Sequence, residues 1–248
     1  MQYAIIGAGG TGGVVGYFMT KAGKDVTLIA RGRHLEAMKE HGLTLERLWD
    51  PNPETIAVKA TDMEHYKEQP DVILVCVKGY SLEDTVPFIR RVAKPDTIVI
   101  PILNIYGTGA KLQKELPELL VTDGCIYVSA NIKEPGVLLQ HGKILRIVFG
   151  VREKTDWRSE LEEIRQDFTD SAIDGMLSEN IRREALEKFS YVSPIGAAGL
   201  YCNAVAGDFQ KEGAPRELFC SMIREIAALA EAMGVPFQKD MVDVNLHI

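Results

Sequence analysis

The chain has 248 residues, 46% of them hydrophobic and 25% charged, a composition that suits a soluble globular protein of two domains. Its 28 basic and 35 acidic residues leave a formal charge of −7, which gives nucleic-acid binding no electrostatic support. The four cysteines form no C-x-x-C pair and the five histidines are scattered, so neither a disulfide framework nor a metal site is expected.

Tyr3-Ala4-Ile5-Ile6 is a short apolar run that opens directly into Gly7-Ala8-Gly9-Gly10-Thr11-Gly12. No basic leader or cleavage site precedes it, and no apolar stretch approaches the ~20 residues that span a bilayer, so a cytoplasmic protein without membrane contact is expected. The hexapeptide has the spacing G-x-G-x-x-G between a predicted strand and a predicted helix. Gly7 would allow the tight turn, Gly9 would let the backbone approach a pyrophosphate, and Gly12 would let helix and strand pack closely. The helix start then offers free N–H groups to phosphate. A glycine-rich turn of an ordinary α/β domain is the plainer alternative.

The next apolar run, Asp25 to Ala30, is the predicted second strand. NAD-binding units usually carry an acid at its end, facing the ribose hydroxyls. Here the chain reads Ala30-Arg31-Gly32-Arg33-His34. A guanidinium pairs with a 2′-phosphate in a fork geometry, so NADP is the expected cofactor and Arg31 its selector, with Arg33 or His34 able to assist. The alternative is a solvated basic helix start.

A helix is predicted from Arg33 to His41, then short strands at 42–45 and 56–58 around a turn at Asp50-Pro51-Asn52-Pro53. The runs 71–77 and 97–100 are continuous and apolar, as central strands buried on both faces require. Ser81 is the expected cap of the helix that follows the first of them. Segments 125–132 and 143–150 are expected to add antiparallel strands to the sheet. A helix is predicted from Trp157 to Thr169, and almost everything beyond Leu177 is helical. Leu218, Phe219, Met222, Ile223, Ile226, Leu229, Ala230 and Met233 repeat at helical spacing, as a packing face does. The domain boundary is expected near Ala172.

Three polar positions could do chemistry. Lys78 follows a buried strand at its C-terminal end, where open α/β sheets bind ligands, and Asn104 holds the same position one strand later. Lys188 lies on the first long helix of the second part. Each has a bland alternative: lysines are mostly solvated, and Asn104 could cap a turn.

In the order and spacing of these features the chain resembles the ketopantoate reductases (2-dehydropantoate 2-reductases). The resemblance rests on Gly7 to Gly12, Arg31, Val77-Lys78-Gly79-Tyr80, Leu103-Asn104-Ile105-Tyr106-Gly107, Ile181-Arg182, Leu186-Glu187-Lys188-Phe189 and Gly207-Asp208. It implies a Rossmann-type dinucleotide-binding domain over residues 1–172 and an all-helical domain over residues 173–248, with the active site in the cleft between them. The implied reaction is NADPH-dependent reduction of 2-dehydropantoate to (R)-pantoate, a step toward pantothenate and coenzyme A. Lys188 then matches the catalytic lysine, Asn104 the asparagine that orients lysine, cofactor and substrate, and Lys78 and Arg31 cofactor contacts.

Two departures stand beside that match. Family members carry a pair of substrate-binding asparagines after the lysine; residues 189–198 contain neither, and Ser193 is the partial substitute. Family members also continue past the equivalent of Ile248 to a Glu that nothing here matches, so the helical domain is expected to be incomplete. Its apolar surface around Ile223 and Ile226 would then be exposed and favour oligomerisation, such as a homodimer, or poor solubility. Reduction of another small 2-oxo acid, or NADP binding without turnover, are the readings these departures motivate.

Overall fold

The computed structural model describes residues 1–247; Ile248, the last residue of the expected helical domain, lies outside the described residues. The chain divides into two units. The first holds Met1–Leu103 and Gly107–Glu179; the second holds Asn104–Tyr106 and the chain from Asn180 onward.

The first unit opens with β1 (Gln2–Ile6), α1 (Gly10–Lys21), β2 (Asp25–Ile29), α2 (Gly32–His41), β3 (Leu43–Arg47), β4 (Asp50–Ile56) and β5 (Lys59–Thr61). It continues through β6 (Val72–Val75), α3 (Thr85–Val92), β7 (Ile98–Pro101), α4 (Thr108–Glu115) and β8 (Leu120–Val121). The last elements are β9 (Asp123–Tyr127), β10 (Ala130–Glu134), β11 (Val137–Gln140), β12 (Arg146–Gly150), α5 (Glu160–Asp170) and β13 (Asp174–Leu177).

Six of these strands form one parallel sheet in the order β5-β2-β1-β6-β7-β8. Counted along the chain this is the doubly wound Rossmann order, with the reversal between β1 and β6. Alternation along each strand sends side chains to opposite faces. Tyr3, Ile5, Val72, Leu74, Ile98 and Ile100 enter one buried cluster. Ala4, Ile6, Ile73, Val75, Val99 and Val121 enter another. Both faces are covered, which is why the strands read as unbroken apolar runs.

The antiparallel strands do not extend this sheet as expected. They build a four-stranded sheet, β10-β11-β3-β4, and a three-stranded one, β13-β12-β9. The parallel sheet ends at the two-residue β8, and β9 pairs with β12 instead. The expected turn at Asp50–Pro53 is part of β4, which lies on an edge where prolines leave no central ladder bond unmade. Ser81 caps nothing: it ends a 3-10 turn, Gly79–Ser81, and α3 starts only at Thr85. Helix α5 likewise starts at Glu160 rather than Trp157, after a 3-10 turn at Lys154–Asp156. The division between units falls after Glu179 rather than near Ala172, because β13 pairs with β12 and completes the first unit.

Helix α1 is buried on two sides, touching β1 and β2 of the parallel sheet and β10 and β11 of the four-stranded one. A Cβ at Gly10 would lie 2.3 Å from the Ala130 carbonyl oxygen, and one at Gly13 would lie 2.8 Å from a Leu138 methyl. The glycines of this helix therefore serve packing beyond the fingerprint.

The second unit is helical: α6 (Ile181–Cys202), α7 (Ala214–Ala232) and α8 (Met241–Leu246). The side chain of Asn180 caps α6 by accepting from the Arg183 N–H at 3.2 Å. Ala198, Phe209, Phe219, Ile223 and Met241 form one core cluster; Leu186, Ile226, Ala230 and Val235 form a second. Ile223 is 0% and Ile226 9% exposed, so the apolar surface expected there is covered by the unit's own packing.

Candidate functional site

The glycine-rich turn joins β1 to α1 with each glycine in a different role. Gly7 has φ +96°, a conformation that L side chains rarely adopt. A Cβ on Gly12 would lie 2.3 Å from the Gly7 carbonyl oxygen and 2.8 Å from Cys76 Cβ, so helix and strand meet only because it is absent. Gly9 is different: its φ is −74°, and a Cβ there would meet nothing within 4 Å. Neither backbone strain nor internal packing explains this glycine, and the space beside it is open. Gly9 is also the N-cap of α1, with no side-chain cap bond and no acidic residue in the first helical turn. The start of α1 therefore keeps its N–H donors and its positive dipole end for an anion. Ala8, Gly10 and Thr11 complete the turn, Gly10 packing on Ala130.

Arg31 follows β2 as the N-cap of α2, and Lys78 follows β6 as the N-cap of the 3-10 turn. Both are exposed. The sheet order makes β2, β1 and β6 neighbours, so Arg31, the glycine turn and Lys78 stand at the C-terminal ends of three adjacent strands, at the point where the strand order reverses. No carboxylate ends β2, and among the described residues neither Arg31 nor Arg33 forms an ion pair. These residues fit a dinucleotide phosphate in charge, and the turn fits it in shape. Cys76, beneath the turn, is held as a neutral thiol because burial pushes its pKa up.

His34 does not assist Arg31. Its Nε2 lies 2.9 Å from the Ala8 carbonyl oxygen, and its Nδ1 accepts the Gly136 N–H at 3.0 Å. Both ring nitrogens are committed to backbone. The Gly136 contact joins residues far apart in sequence, and no local pattern signals it.

In the second unit, Lys188 lies on α6 with its ammonium 5.9 Å from the centre of the Tyr191 ring. Burial, then the neighbouring Glu184, raises the pKa of the adjacent Glu187. Asn104, three residues past β7, is exposed and belongs to this helical unit rather than to the parallel-sheet unit. The reason is Tyr106: its ring packs against Phe189, the residue after Lys188, with centroids 6.4 Å apart. Asn104 and Lys188 are thus carried by one unit, which their distance in sequence conceals. Ser193 lies five positions beyond Lys188 on the same helix, about 140° round it, and does not share the lysine's face.

The sequence profile of the family described as "Ketopantoate reductase PanE/ApbA" matches residues 3–154, and that of its C-terminal part matches residues 180–248. The chain belongs to the ketopantoate reductase family. Among relatives of this ketopantoate reductase family member, the 2-dehydropantoate 2-reductase of Pyrococcus horikoshii is 32% identical over 201 residues. That match covers 79% of this chain and 64% of the relative, so it spans less than two thirds of the archaeal protein's length. The uncharacterized oxidoreductase YkpB of Bacillus subtilis is 25% identical over 247 residues, covering 95% of this chain and 77% of its own. The solved 2-dehydropantoate 2-reductase of Porphyromonas gingivalis W83 superposes with TM-score 0.88 at 25% identity, over 100% of this chain and 87% of that one. A D-mandelate dehydrogenase solved with NADH and anilino(oxo)acetate shares the fold, with TM-score 0.89 at 18% identity, over 100% of this chain and 79% of its own.

Proposed function

We propose that this protein is an oxidoreductase that reduces 2-dehydropantoate to (R)-pantoate with NADPH, a step toward pantothenate and coenzyme A. The observation that carries the proposal is the glycine turn at the switch point of the sheet, with Gly9 open, α1 uncapped and Arg31 at the end of β2. When bound, the dihydronicotinamide supplies a hydride to the carbonyl carbon of the 2-oxo acid. The turn and the start of α1 hold the pyrophosphate. Arg31 pairs with the 2′-phosphate and Lys78 adds a second cation at the adjacent strand end. Lys188 hydrogen-bonds the 2-oxo oxygen and donates its proton there as the alkoxide charge develops. Asn104 orients the lysine and the substrate. The names of the Pyrococcus and Porphyromonas proteins support the reaction class.

A second substrate is favoured by α6 itself. The turn of helix after Lys188 reads Phe189-Ser190-Tyr191-Val192, and Ser193 is turned away from the lysine's face. Another small 2-oxo acid, with fewer polar groups than 2-dehydropantoate, is the alternative that this surface supports. Following NADPH absorbance with 2-dehydropantoate and with a panel of apolar 2-oxo acids decides between them. Turnover on none of them, with tight NADPH binding, would leave a binding protein and overturn the reductase reading.

A further inference from the structure

His34 sits in the first turn of α2, half-buried, and bridges two backbone segments that the sequence holds far apart. One is the glycine turn, through the Ala8 carbonyl oxygen at 2.9 Å. The other is the β10–β11 hairpin, through the Gly136 N–H at 3.0 Å. The donor fixes the tautomer: a backbone N–H can only donate, so Nδ1 is the unprotonated nitrogen and Nε2–H donates to Ala8. The hairpin end of the bridge is itself fixed. Gly136 has φ +79°, a Cβ on it would lie 3.0 Å from Ala37 Cβ of α2, and its carbonyl accepts the Thr44 N–H of β3 at 2.9 Å.

The Ala8 carbonyl shares a peptide plane with the Gly9 N–H, and among the described residues no peptide bond is cis. In a trans peptide the two groups point in opposite directions. Drawing the Ala8 carbonyl onto His34 therefore turns the Gly9 N–H away from the histidine. The same residue is anchored at its other end, where the Gly9 carbonyl accepts the Gly13 N–H at 2.7 Å. The Gly7 and Ala8 N–H groups both go to the Ile29 carbonyl, at 3.0 and 3.3 Å, which leaves Gly9 as the first residue of the turn whose N–H has no such engagement.

We propose that His34 is a positioning residue for the dinucleotide turn, presetting the Ala8–Gly9 peptide for the pyrophosphate without touching the cofactor's 2′-phosphate. The role rests on the nicotinamide-dinucleotide reading given above. Its effect differs in kind from that of Arg31, whose proposed partner is the 2′-phosphate alone: loss of His34 weakens NADPH and NADH alike.

The test is fluorescence titration of both cofactors against the wild type, His34→Ala, His34→Gln and His34→Asn, with melting curves of the cofactor-free proteins. His34→Ala should weaken both cofactors about tenfold. The glutamine amide reaches the Nε2 position and can still donate to Ala8, so His34→Gln should recover most of that loss; asparagine reaches only the Nδ1 position and should not. Loss confined to NADPH, unchanged affinity in His34→Ala, or a folded His34→Gln no better than alanine would each overturn the role. Should His34→Ala not fold, nitrogen NMR of the wild-type imidazole decides: Nε2–H with unprotonated Nδ1 supports the bridge, and Nδ1–H overturns it. A wild type that binds neither cofactor overturns the dinucleotide reading, and the role with it; wild-type binding with unaffected variants removes the role alone.

Discussion

In the proposed function cofactor choice turns on Arg31, which stands exposed at the end of β2, where an acid would repel a 2′-phosphate. A charge-assisted contact is worth about 1.5–3 kcal/mol. Arg31→Ala should thus weaken NADPH at least about tenfold and hardly change NADH, as read by fluorescence titration; equal wild-type affinities for the two would sink the assignment. In the proposed reaction Lys188 is the residue whose loss should separate catalysis from binding. General acid catalysis contributes about a hundred- to ten-thousand-fold, so Lys188→Ala should lower kcat by at least the smaller factor, with NADPH affinity changed only a few-fold. Lys188→Arg keeps the charge but is a poor proton donor and should not rescue turnover. His34 adds a pH dependence. Burial is the larger influence and lowers its pKa below the ordinary 6.5, with the Ala8 hydrogen bond opposing. The folded protein therefore binds fewer protons than the unfolded chain just below that pH. The contribution is complete above about pH 6.5 and is lost as pH falls through the lower folded value. Urea midpoints should drop between about pH 7.5 and about pH 5.5, and His34→Gln should flatten that drop.

At the scale of elements, the β1–turn–α1 unit separates glycines that packing demands from one that it does not. Gly12→Ala drives a Cβ to 2.3 Å from a backbone oxygen that cannot move aside, since Gly7 is tied to β2. Overpacking of this kind costs about 1–3 kcal/mol, so the variant should melt earlier and bind cofactor poorly. Gly9→Ala meets no protein atom and has an ordinary φ. Its stability should stay within about 1 kcal/mol of wild type, since a weaker N-cap and a stiffer unfolded chain oppose each other. Its NADPH affinity should nevertheless fall. Calorimetry and titration on the two variants check the contrast, and a Gly9→Ala protein that binds normally would remove the ligand-approach argument. Helix α6 shows the same economy of position: it carries Lys188 toward its start and apolar core residues such as Ala198 farther on.

For the whole molecule, the notable feature is that three residues from the middle of the first unit's sequence, Asn104–Tyr106, belong to the second. The contact of Tyr106 with Phe189 fastens them there. Tyr106→Ala leaves the glycine turn untouched but frees Asn104 from its unit. The expected result is a lower kcat with unchanged NADPH affinity, measured by steady-state kinetics beside titration. A parallel loss of cofactor binding would show that the segment serves the dinucleotide instead. Among the described residues no helix is long and apolar enough to cross a membrane, and no group of metal-ligating side chains is gathered.

The amino-acid sequence by itself determined the parts that depend on neighbours along the chain. The run Val72–Val75 is unbroken and apolar because both its faces are covered, and the glycine turn is legible because its conformation is local. The stripe on α7 is legible for the same reason, since a helix places Phe219, Ile223, Ile226 and Ala230 on one side by its own period. What only the tertiary structure decided are pairings between distant segments. Strand β11 lies parallel to β3, His34 meets Gly136, and Tyr106 meets Phe189. In each case a short piece of chain has several partners of equal local merit. The choice among them is made by which buried surfaces close together, an energy that no local pattern carries.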